Sequence, residues 1–413
     1  MTTPACRFCG APLTHTFLDL GEQPLSNAFL TADALAAGTE RAWPLHARVC
    51  DRCFLVQVDD PVDAGDIFTD EYAYFSSYSK SWLEHARRYA RMAAERFGLG
   101  PGSLVVEIAS NDGYLLRNFV EMGVPVLGIE PAANCAEAAR AIGVPTEVMF
   151  FGEETGKALA ARGVRADLMA ANNVLAHVPR IGDFVAGFPQ VLKPEGVLTF
   201  EFPHLLRLIE GVQFDTIYHE HFSYLSMLTV ERVLASAGMR VFDVEELPTH
   251  GGSLRLFCRL AAAGHAETAA VERLRQAERA AALDRIEGYA GFTQKAEAVR
   301  ASFLDFLRKA KAEGKTVAAY GAAAKGNTFL NYAGVGPDDI RAVYDLNPHK
   351  QGRFLPGSHV PILSPDAIAD LKPDYVVILP WNLKDEIMAQ LAFIGGWGGR
   401  FVTAAPQTRV IGA

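Results

Sequence analysis

The densest group of side chains able to do acid–base chemistry lies at residues 214–224, in the run Phe-Asp-Thr-Ile-Tyr-His-Glu-His-Phe-Ser-Tyr. Tyr218, Glu220 and His221 fall within four residues of one another. An imidazole held by a carboxylate is a common general base, and a phenol can donate a hydrogen bond to a developing oxyanion. Because His219 and His221 also have the spacing of metal ligands, both acid–base chemistry and metal binding are open here.

Two further segments carry polar side chains that could line a ligand pocket. Asn173 and His177 follow an apolar run and would lie at the carboxyl edge of a sheet, where ligands bind. The alternative is that the asparagine satisfies loop backbone and the histidine belongs to the core. Residues 71–79, Glu-Tyr-Ala-Tyr-Phe-Ser-Ser-Tyr-Ser, form a cluster of phenols and hydroxyls that includes Tyr72 and Tyr74. This cluster could cover a pocket or pack two domains together.

Four of the six cysteines form two Cys-x-x-Cys pairs, Cys6 with Cys9 and Cys50 with Cys53. Together they predict a tetrahedral four-thiolate site of the kind that holds structural zinc. Because protein thiolates would fill all four positions, no position remains for water or substrate. We therefore expect the metal to fold a small module rather than to catalyse.

The charge of the chain argues against nucleic acids and membranes as partners. The chain has 39 Lys and Arg against 48 Asp and Glu, a net charge of −9, which repels phosphate backbones and anionic lipids. Residues 1–75 hold four basic side chains against eleven acidic ones, so nucleic-acid binding by the cysteine module is not expected either. No run of 18 apolar residues and no basic, apolar leader is present, and we expect a cytoplasmic protein.

Short apolar runs separated by helical patterns predict a parallel, doubly wound sheet between residues 104 and 244. Apolar residues at three- and four-residue steps predict an amphipathic helix over 81–97. After a glycine turn and a strand at 250–257, one or two long helices are predicted within 266–313, and a second α/β pattern follows. The predicted domains are 1–75, 76–247 and 248–413. The predicted strands are 104–108, 126–129, 167–171, 196–200, 239–244, 316–320, 341–344, 375–379 and 399–403.

The turn after the first of these strands is a candidate ligand site. It reads Glu-Ile-Ala-Ser-Asn-Asp-Gly from Glu107 to Gly113, with Ala109 and Asn111 where a Gly-x-Gly-x-x-Gly motif has glycine. A dinucleotide diphosphate is therefore poorly accommodated. Glu130 ends the second strand, seventeen residues after the last glycine, where an acid accepts hydrogen bonds from a ribose. A ligand with a ribose and no phosphate, such as S-adenosylmethionine (SAM), fits this turn better.

The C-terminal half has a comparable turn at 320–328, Tyr-Gly-Ala-Ala-Ala-Lys-Gly-Asn-Thr. Lys325 and Asn327 lie where a helix is predicted to begin, which is the arrangement of a phosphate cradle. Asp345 ends the next strand, as an acid does in a dinucleotide site. The alternative is that the C-terminal half has a Rossmann-like fold that binds no ligand and serves only packing or dimerisation.

In this order, the motifs resemble those of the SAM-dependent nucleotide-sugar C-methyltransferases over essentially the whole chain. They are the cysteine module, Glu-Ile-x-x-Asn-Asp-Gly, Ala-Asn-Asn-x-Leu-Ala-His-Val-Pro, Tyr-x-Glu-His-Phe, His-Gly-Gly-Ser and Tyr-Gly-Ala-x-x-Lys-Gly-Asn. The resemblance implies an α/β fold with a small N-terminal four-cysteine zinc module, a central Rossmann-like class I SAM methyltransferase domain and a C-terminal Rossmann-like α/β domain. It also implies methylation of a carbon next to the 4-keto group of a dTDP-linked deoxysugar.

The resemblance assigns roles to individual residues. His221 would be the general base, and its neighbours in the active site would be Glu220, Tyr218, His177 and one of Tyr72 and Tyr74. The SAM crevice would be formed by Glu107, Asn111, Gly113, Glu130 and Asn173, with Phe150 and Phe151 near the adenine. Substrate contacts are expected from His250, Ser253, Lys325 and Asn327. One departure is Met149, which stands where some members carry an acid that could hold the adenine amino group.

Two other functions are open at this point. One is an NAD-dependent oxidoreductase that uses the C-terminal half, with Asp345 on the cofactor ribose. The other is a non-catalytic zinc-ribbon scaffold or a partner in RNA modification, against which the acidic cysteine module and the group from Tyr218 to His221 both argue. For the favoured function, we expect a nucleotide-linked keto-deoxysugar as partner, no nucleic acid and no membrane. We expect the chain to act as a monomer or a small homo-oligomer.

Overall fold

The computed structural model describes residues 3–59, 76–78 and 80–412. In this part of the chain the strands form sheets of four, seven and six members. The smallest is antiparallel, in the order β1-β2-β3-β9, and belongs to the N-terminal module except for its last strand. Its elements are β1 His15–Gln23, α1 Ala32–Ala37, β2 Trp43–Val49, β3 Val56–Val58 and, from much later in the chain, β9 Ser223–Tyr224.

Local chemistry explains the elements of this module. In β2 the buried residues Leu45, Ala47 and Val49 alternate with more exposed ones, so one face of the strand lies on the core. Helix α1 begins after Thr31, whose hydroxyl accepts a hydrogen bond from the Ala34 backbone N–H at 3.2 Å. It ends at Gly38, which adopts the left-handed conformation that glycine tolerates best.

The central sheet has seven strands in the order β10-β11-β8-β7-β4-β5-β6. The five strands from β8 to β6 run parallel, and β11 and β10 add an antiparallel edge. The doubly wound sheet predicted from the alternation of apolar runs and helical patterns is confirmed. Its strands are β4 Val105–Ile108, β5 Val126–Ile129, β6 Thr146–Glu147, β7 Ala166–Asn172, β8 Leu192–Pro203, β10 Met239–Leu247 and β11 Ser253–Leu260.

Helices cover both faces of this sheet. The predicted helix at 81–97 is present and buries Ala86, Tyr89, Ala90 and Ala93 along one side. The helices of the central unit are α2 Lys80–Phe97, α3 Leu116–Glu121, α4 Ala133–Ala141, α5 Glu153–Ala161, α6 Ile181–Val191, α7 Leu205–Glu210 and α8 Met227–Ser236. Short 3-10 helices occur at Ser76–Tyr78, Leu175–His177, Phe214–Thr216 and Thr249–Gly251.

The position of β11 bears on the predicted domain boundary between residues 247 and 248. Strand β11 pairs with β10 on one side and with β8 on the other, so it is an internal strand of the central sheet. Seven of its eight residues are buried. The predicted boundary thus falls between two paired strands of one sheet, and we propose to assign residues through Leu260 to the central unit.

The C-terminal sheet has the order β14-β13-β12-β15-β16-β17, in which β17 alone is antiparallel to its neighbour. Two long helices, rather than one, connect it to the central unit. Its strands are β12 Val317–Tyr320, β13 Val343–Tyr344, β14 Ile362–Leu363, β15 Tyr375–Ile378, β16 Arg400–Thr403 and β17 Arg409–Gly412. The helices are α9 Ala269–Ala280, α10 Phe292–Ala312, α11 Ala324–Ala333, α12 Ile368–Leu371 and α13 Lys384–Gln390, with 3-10 helices at Ile286–Tyr289, Pro365–Ala367, Trp381–Leu383 and Ala392–Trp397.

One hydrophobic cluster joins the three parts. It contains Phe17 of the N-terminal module, Phe214 of the central unit and Phe329 of the C-terminal unit, all of them buried. The Phe17 ring stacks on Phe292 with 4.4 Å between ring centroids, and Leu30 pairs through backbone hydrogen bonds with Phe354. The residues that line the site below are therefore held between packed units. In the described part of the chain, no helix is both long and apolar enough to cross a membrane.

Candidate active site and zinc centre

The four paired cysteines converge as the sequence predicts. Their Sγ atoms all lie within 4.8 Å of one another, with 3.5 Å between Cys6 and Cys53 and 3.5 Å between Cys9 and Cys50. A tetrahedral site with zinc–sulfur bonds of about 2.3 Å separates its sulfur atoms by roughly 3.8 Å, so the set fits zinc. Gln57 Nε2 donates a hydrogen bond to Cys6 Sγ at 3.2 Å, a typical contact around a metal thiolate.

The zinc module is connected to the segment that carries His221. Strand β3 pairs with β9, placing Val56 opposite Tyr224 and Gln57 opposite Ser223. The buried Gln57 side chain also accepts a hydrogen bond from the Arg7 backbone N–H at 2.8 Å. The module thus holds the chain two residues beyond His221 in a fixed register.

The turn predicted to bind SAM has an unusual backbone. Ala109 (φ 56°), Asn111 (φ 49°) and Gly113 (φ 78°) all have positive φ values. A Cβ atom at Gly113 would lie 3.1 Å from a Val144 side-chain atom and 3.2 Å from Ala139 Cβ, so glycine permits the turn to pack against α4 and the segment that follows it. The Asn111 side chain accepts a hydrogen bond from the Ser76 backbone N–H at 2.9 Å, which fixes the segment that follows residues 60–75 against this turn.

Three carboxyl groups lie together at the carboxyl ends of β4 and β5. Glu130 accepts hydrogen bonds from the Asn111 N–H at 2.8 Å and the Ala132 N–H at 2.9 Å. Burial raises the pKa of Glu107 well above its ordinary value, and the charges of Glu130 and Asp112 raise it further. Oε2 of Glu107 has no hydrogen-bond partner among the described residues. A buried group of acids with an unused acceptor suits a ligand that carries positive charge, as SAM does at its sulfonium and amino groups.

The other residues predicted for the SAM crevice differ in placement. Asn173 has a φ of 59°, and its side-chain Nδ2 is buried without a partner among the described residues, so it can serve a ligand. Phe150 is 58% exposed. The Phe151 ring packs instead against Phe184 and Phe188, with ring centroids 5.7 and 4.9 Å away. The structure therefore gives Phe151 a packing role on α6.

His221 has hydrogen bonds on both ring nitrogens. Nδ1 lies 2.9 Å from the carbonyl oxygen of Thr216, which can only accept, so Nδ1 carries the proton. Nε2 is then an acceptor and lies 2.8 Å from the hydroxyl of Tyr218, which donates to it. Burial lowers the pKa of His221 well below 6.5, and the charges of His177, His250 and Lys325 act in the same direction. The side chain is a neutral imidazole with its basic nitrogen fixed in direction.

His177 and Glu220 lie beside this pair. The His177 ring is 4.7 Å from that of His221, and burial lowers its pKa to about 4 while a hydrogen bond to the Glu220 backbone opposes the shift. The Glu220 side chain does not contact either histidine through a described hydrogen bond. It accepts one from Asn27 Nδ2 of the N-terminal module at 2.6 Å, and burial raises its pKa. His221, Tyr218, His177 and Glu220 therefore lie near one another. The Glu220 carboxylate is bound by Asn27 rather than by a histidine.

The metal alternative for His219 and His221 is not supported by the geometry. His219 Nε2 lies 3.3 Å from the Pro44 carbonyl oxygen and its ring is 6.4 Å from Trp43, so it is part of the contact with the N-terminal module. Among the described residues, the cysteine set is the one group of three or more ligand side chains close enough to share a metal ion.

The predicted substrate residues come from two units, His250 and Ser253 from the central unit and Lys325 and Asn327 from α11 of the C-terminal unit. His250 has a φ of 55°, and burial, followed by the charge of Lys325, lowers its pKa to about 4. Ser253 begins β11 and donates a hydrogen bond to the Thr249 carbonyl oxygen at 2.9 Å. Both polar atoms of the Asn327 side chain are buried without a partner in the described part of the chain.

Several residues around the site have no signal in the sequence. Trp381 Nε1 donates to Asp215 Oδ2 at 2.7 Å, and Asn27 donates to Glu220, as described above. Both contacts join residues more than 160 positions apart, and only the observed packing brings them together. Tyr72 and Tyr74 lie outside the described residues.

A buried network of charged and aromatic side chains next to His250 also has no signal in the sequence. Glu201 of β8 receives hydrogen bonds from Arg255 Nε at 2.7 Å and lies 2.8 Å from His85 Nε2. The His85 ring stacks on Trp82 at 4.9 Å, and Trp82 lies 5.4 Å from the His250 ring. This buried network supports one wall of the site.

Comparison with known proteins gives the class. Residues 82–244 match a methyltransferase domain, residues 6–68 a zinc-binding domain and residues 248–406 a C-methyltransferase C-terminal domain. Over 408 residues the chain is 38% identical to the C-methyltransferase NovU of Streptomyces niveus. This match covers 99% of this chain and 97% of NovU. A ubiquinone biosynthesis O-methyltransferase of Rhodopseudomonas palustris is 26% identical over 31% of this chain and 59% of its own length.

Part of the chain also resembles solved methyltransferase structures. A magnesium protoporphyrin IX methyltransferase from Synechocystis with bound SAM is 12% identical, with a TM-score of 0.36, and covers 49% of this chain and 99% of its own. An S-adenosylmethionine-dependent methyltransferase from Clostridium acetobutylicum is 11% identical, with a TM-score of 0.35, and covers 44% of this chain and 92% of its own.

The three domains and the site together define a SAM-dependent methyltransferase with an attached zinc-binding domain. The chain belongs to the family of C-methyltransferases that includes NovU. The predicted three-part architecture is confirmed, as are SAM and structural zinc as its cofactors. The alternatives of an NAD-dependent oxidoreductase and of a non-catalytic scaffold are thereby replaced.

Proposed function

We propose that the protein transfers the methyl group of SAM to a carbon next to the keto group of a nucleotide-linked 4-keto-deoxysugar, with dTDP as the nucleotide. The observation that carries this proposal is the arrangement of His221, whose Nδ1 is fixed by Thr216 and whose basic Nε2 faces the Tyr218 hydroxyl. A carbon nucleophile must be generated before carbon–carbon bond formation, and removal of a proton next to a ketone is the accessible route.

His221 removes that proton. The C–H bond breaks, its proton goes to Nε2 and its electrons form an enolate. Because Tyr218 occupies Nε2 in this structure, the substrate hydrogen must displace the phenol, which then becomes available to donate to the enolate oxygen. The lowered pKa keeps the base neutral and able to accept at neutral pH.

The methyl donor supplies an electrophilic carbon on a positively charged sulfur. Its charge would be balanced by the carboxyl groups of Glu107, Asp112 and Glu130, and burial raises the pKa of Glu107 and of Glu130. When bound, SAM would supply the methyl carbon that accepts the enolate's electron pair while its carbon–sulfur bond breaks, with S-adenosylhomocysteine as the leaving group. The turn 109–113 and the base must hold the two carbons roughly 3–3.5 Å apart for this step.

The substrate proposal rests on the family relationship and on the surroundings of His221. His177, Tyr218, His250 and Lys325 are each partly exposed around this base, between the central and C-terminal units. Such a polar, partly enclosed cleft suits a hydroxylated keto-sugar whose nucleotide extends away from the reacting carbon.

The experiment is mass spectrometry of a panel of nucleotide-linked 4-keto-6-deoxysugars incubated with SAM. We compare the wild type, His221→Ala and the exposed control His349→Ala. The expected result is the gain of one methyl group on one sugar with the wild type and the control, and a rate about 10²–10⁴-fold lower with His221→Ala. No methylated sugar, or a fully active His221→Ala variant, contradicts the proposal.

A further inference from the structure

Lys325 of the C-terminal unit lies beside Trp381, which contacts the loop that carries His221. It is the second residue of α11, and its Nζ donates to Asn382 Oδ1 at 2.8 Å. The same Nζ lies 4.7 Å from the centroid of the Trp381 ring, within the range of a cation–π contact. An ammonium group has three N–H donors, and among the described residues only Asn382 accounts for one of them.

Trp381, which packs against Lys325, also contacts the segment that positions His221. Trp381 Nε1 donates to Asp215 Oδ2 at 2.7 Å, and Asp215 directly precedes Thr216, the hydrogen-bond acceptor of His221. A Cβ atom at Gly251, next to His250, would lie 2.4 Å from the Trp381 ring, so the indole packs closely on that turn as well. Trp381 therefore links the position of Lys325 to the segment that holds His221.

Electrostatics agrees with this proximity. Burial lowers the pKa of Lys325 while Asp215 raises it, and burial raises the pKa of Asp215 to about 6 while Lys325 lowers it. The positive charge of Lys325 also lowers the pKa of His221 and of His250. A partly desolvated ammonium acts more strongly on nearby charge than one in water.

The turn before Lys325 uses its own backbone N–H groups within the chain. The Gly321 N–H donates to the Tyr344 carbonyl oxygen, the Ala322 N–H to Asp345 Oδ2 and the Ala323 N–H to the Gly321 carbonyl oxygen. A Cβ atom at Gly321 would lie 2.4 Å from Pro380, which covers the turn. These three N–H groups are used within the chain, whereas those of Ala324, Lys325 and Gly326 in the first turn of α11 have no described acceptor.

We propose that Lys325 is a catalytic residue whose ammonium contacts the enolate oxygen formed when His221 removes the substrate proton. This inference rests on the proposed function and deepens it. When the C–H electrons move onto the carbonyl oxygen, one negative charge develops, and Tyr218 alone would offer it a neutral donor. One desolvated ammonium on an aromatic support matches a single developing charge. Removal of one donor from an oxyanion site commonly costs about 10²–10³ in rate.

The test separates proton removal from methyl transfer. Exchange of the substrate hydrogen for deuterium is followed by NMR in D₂O with S-adenosylhomocysteine in place of SAM, and substrate affinity is measured by calorimetry. The enzymes are the wild type, Lys325→Met, Lys325→Arg and Lys315→Met. The last is a matched control, because Lys315 forms an exposed ion pair with Asp374 at the opposite end of β12.

In Lys325→Met we expect exchange to slow about 10²–10³-fold while the substrate Kd changes less than about fivefold, because the contact strengthens only as charge develops. Lys325→Arg recovers part of the rate, and Lys315→Met matches the wild type. Zinc content and SAM affinity are measured in each to confirm folding, and Asn382→Leu provides a second variant, expected to slow exchange while the lysine is retained.

A wild-type exchange rate at saturating substrate in Lys325→Met overturns the proposal while leaving the proposed function intact. If the substrate Kd of that variant is also raised tenfold or more, the lysine is assigned to the diphosphate instead. If the wild type methylates its substrate without exchanging a hydrogen next to a ketone, the proposed function itself fails and the lysine proposal falls with it.

Discussion

The burial of His221 predicts an unusual pH dependence for proton removal. A general base acts in its neutral form, and a histidine with the ordinary pKa of about 6.5 would be only about one-tenth neutral at pH 5.5. In this structure burial lowers the pKa of His221 well below that value, with His177, His250 and Lys325 adding to the shift and the Thr216 carbonyl opposing it. The neutral form therefore persists to lower pH, and the rate at pH 5.5 should stay far above one-tenth of the rate at pH 8.

The assay is a single-turnover measurement at saturating SAM and substrate, so that weaker binding at low pH does not enter. Enzyme is kept at pH 8 and mixed to each lower pH, and a return to pH 8 shows that zinc and fold survive. A tenfold loss of the single-turnover rate between pH 8 and pH 5.5, fully recovered on return, would refute the reasoning, because His221 would then titrate as an exposed histidine does.

Three further predictions follow from the SAM crevice and the zinc centre. The raised pKa of Glu107 means that SAM, a cation, binds more weakly as pH falls through that pKa, and calorimetry should find this pH dependence lost in Glu107→Gln. Gly113→Ala places a Cβ 3.1–3.3 Å from three side chains at a φ of 78°, so urea titration should show a stability loss of about 1–3 kcal/mol; a neutral result would contradict the packing argument. Elemental analysis should find one zinc per chain, and Cys50→Ser should lose it and unfold at a lower temperature, because structural zinc sites are worth about 10–16 kcal/mol in small peptides.

Much of the fold could be predicted from local patterns. The four cysteines, the strand and turn from Glu107 to Gly113, and the helix at 81–97 each have a short-range signal, and each is present in the structure. Hydrophobic periodicity and ligand spacing report on neighbours within a few residues, so they identify elements well. The group of Tyr218 and His221 was visible for the same reason, since its members are close in sequence.

The contacts that complete the site could not be predicted in this way. Asn27 reaches Glu220 across 193 positions, and Trp381 reaches Asp215 across 166. Strand β9 joins the sheet of the zinc module although it lies far along the chain. Such contacts depend on how the three units pack against one another. Neither the periodicity nor the motifs around one residue indicate which distant residue it will contact.

The central claim is tested most directly by the position of the transferred methyl group. A nucleotide-linked 4-keto-deoxysugar is incubated with the enzyme and SAM whose methyl carbon is ¹³C, and the product is analysed by two-dimensional NMR. The account predicts a labelled methyl bonded to the ring carbon next to the keto group, formed by the wild type and almost absent with His221→Ala. A labelled methyl bonded to oxygen, or to a carbon not adjacent to the ketone, would contradict it.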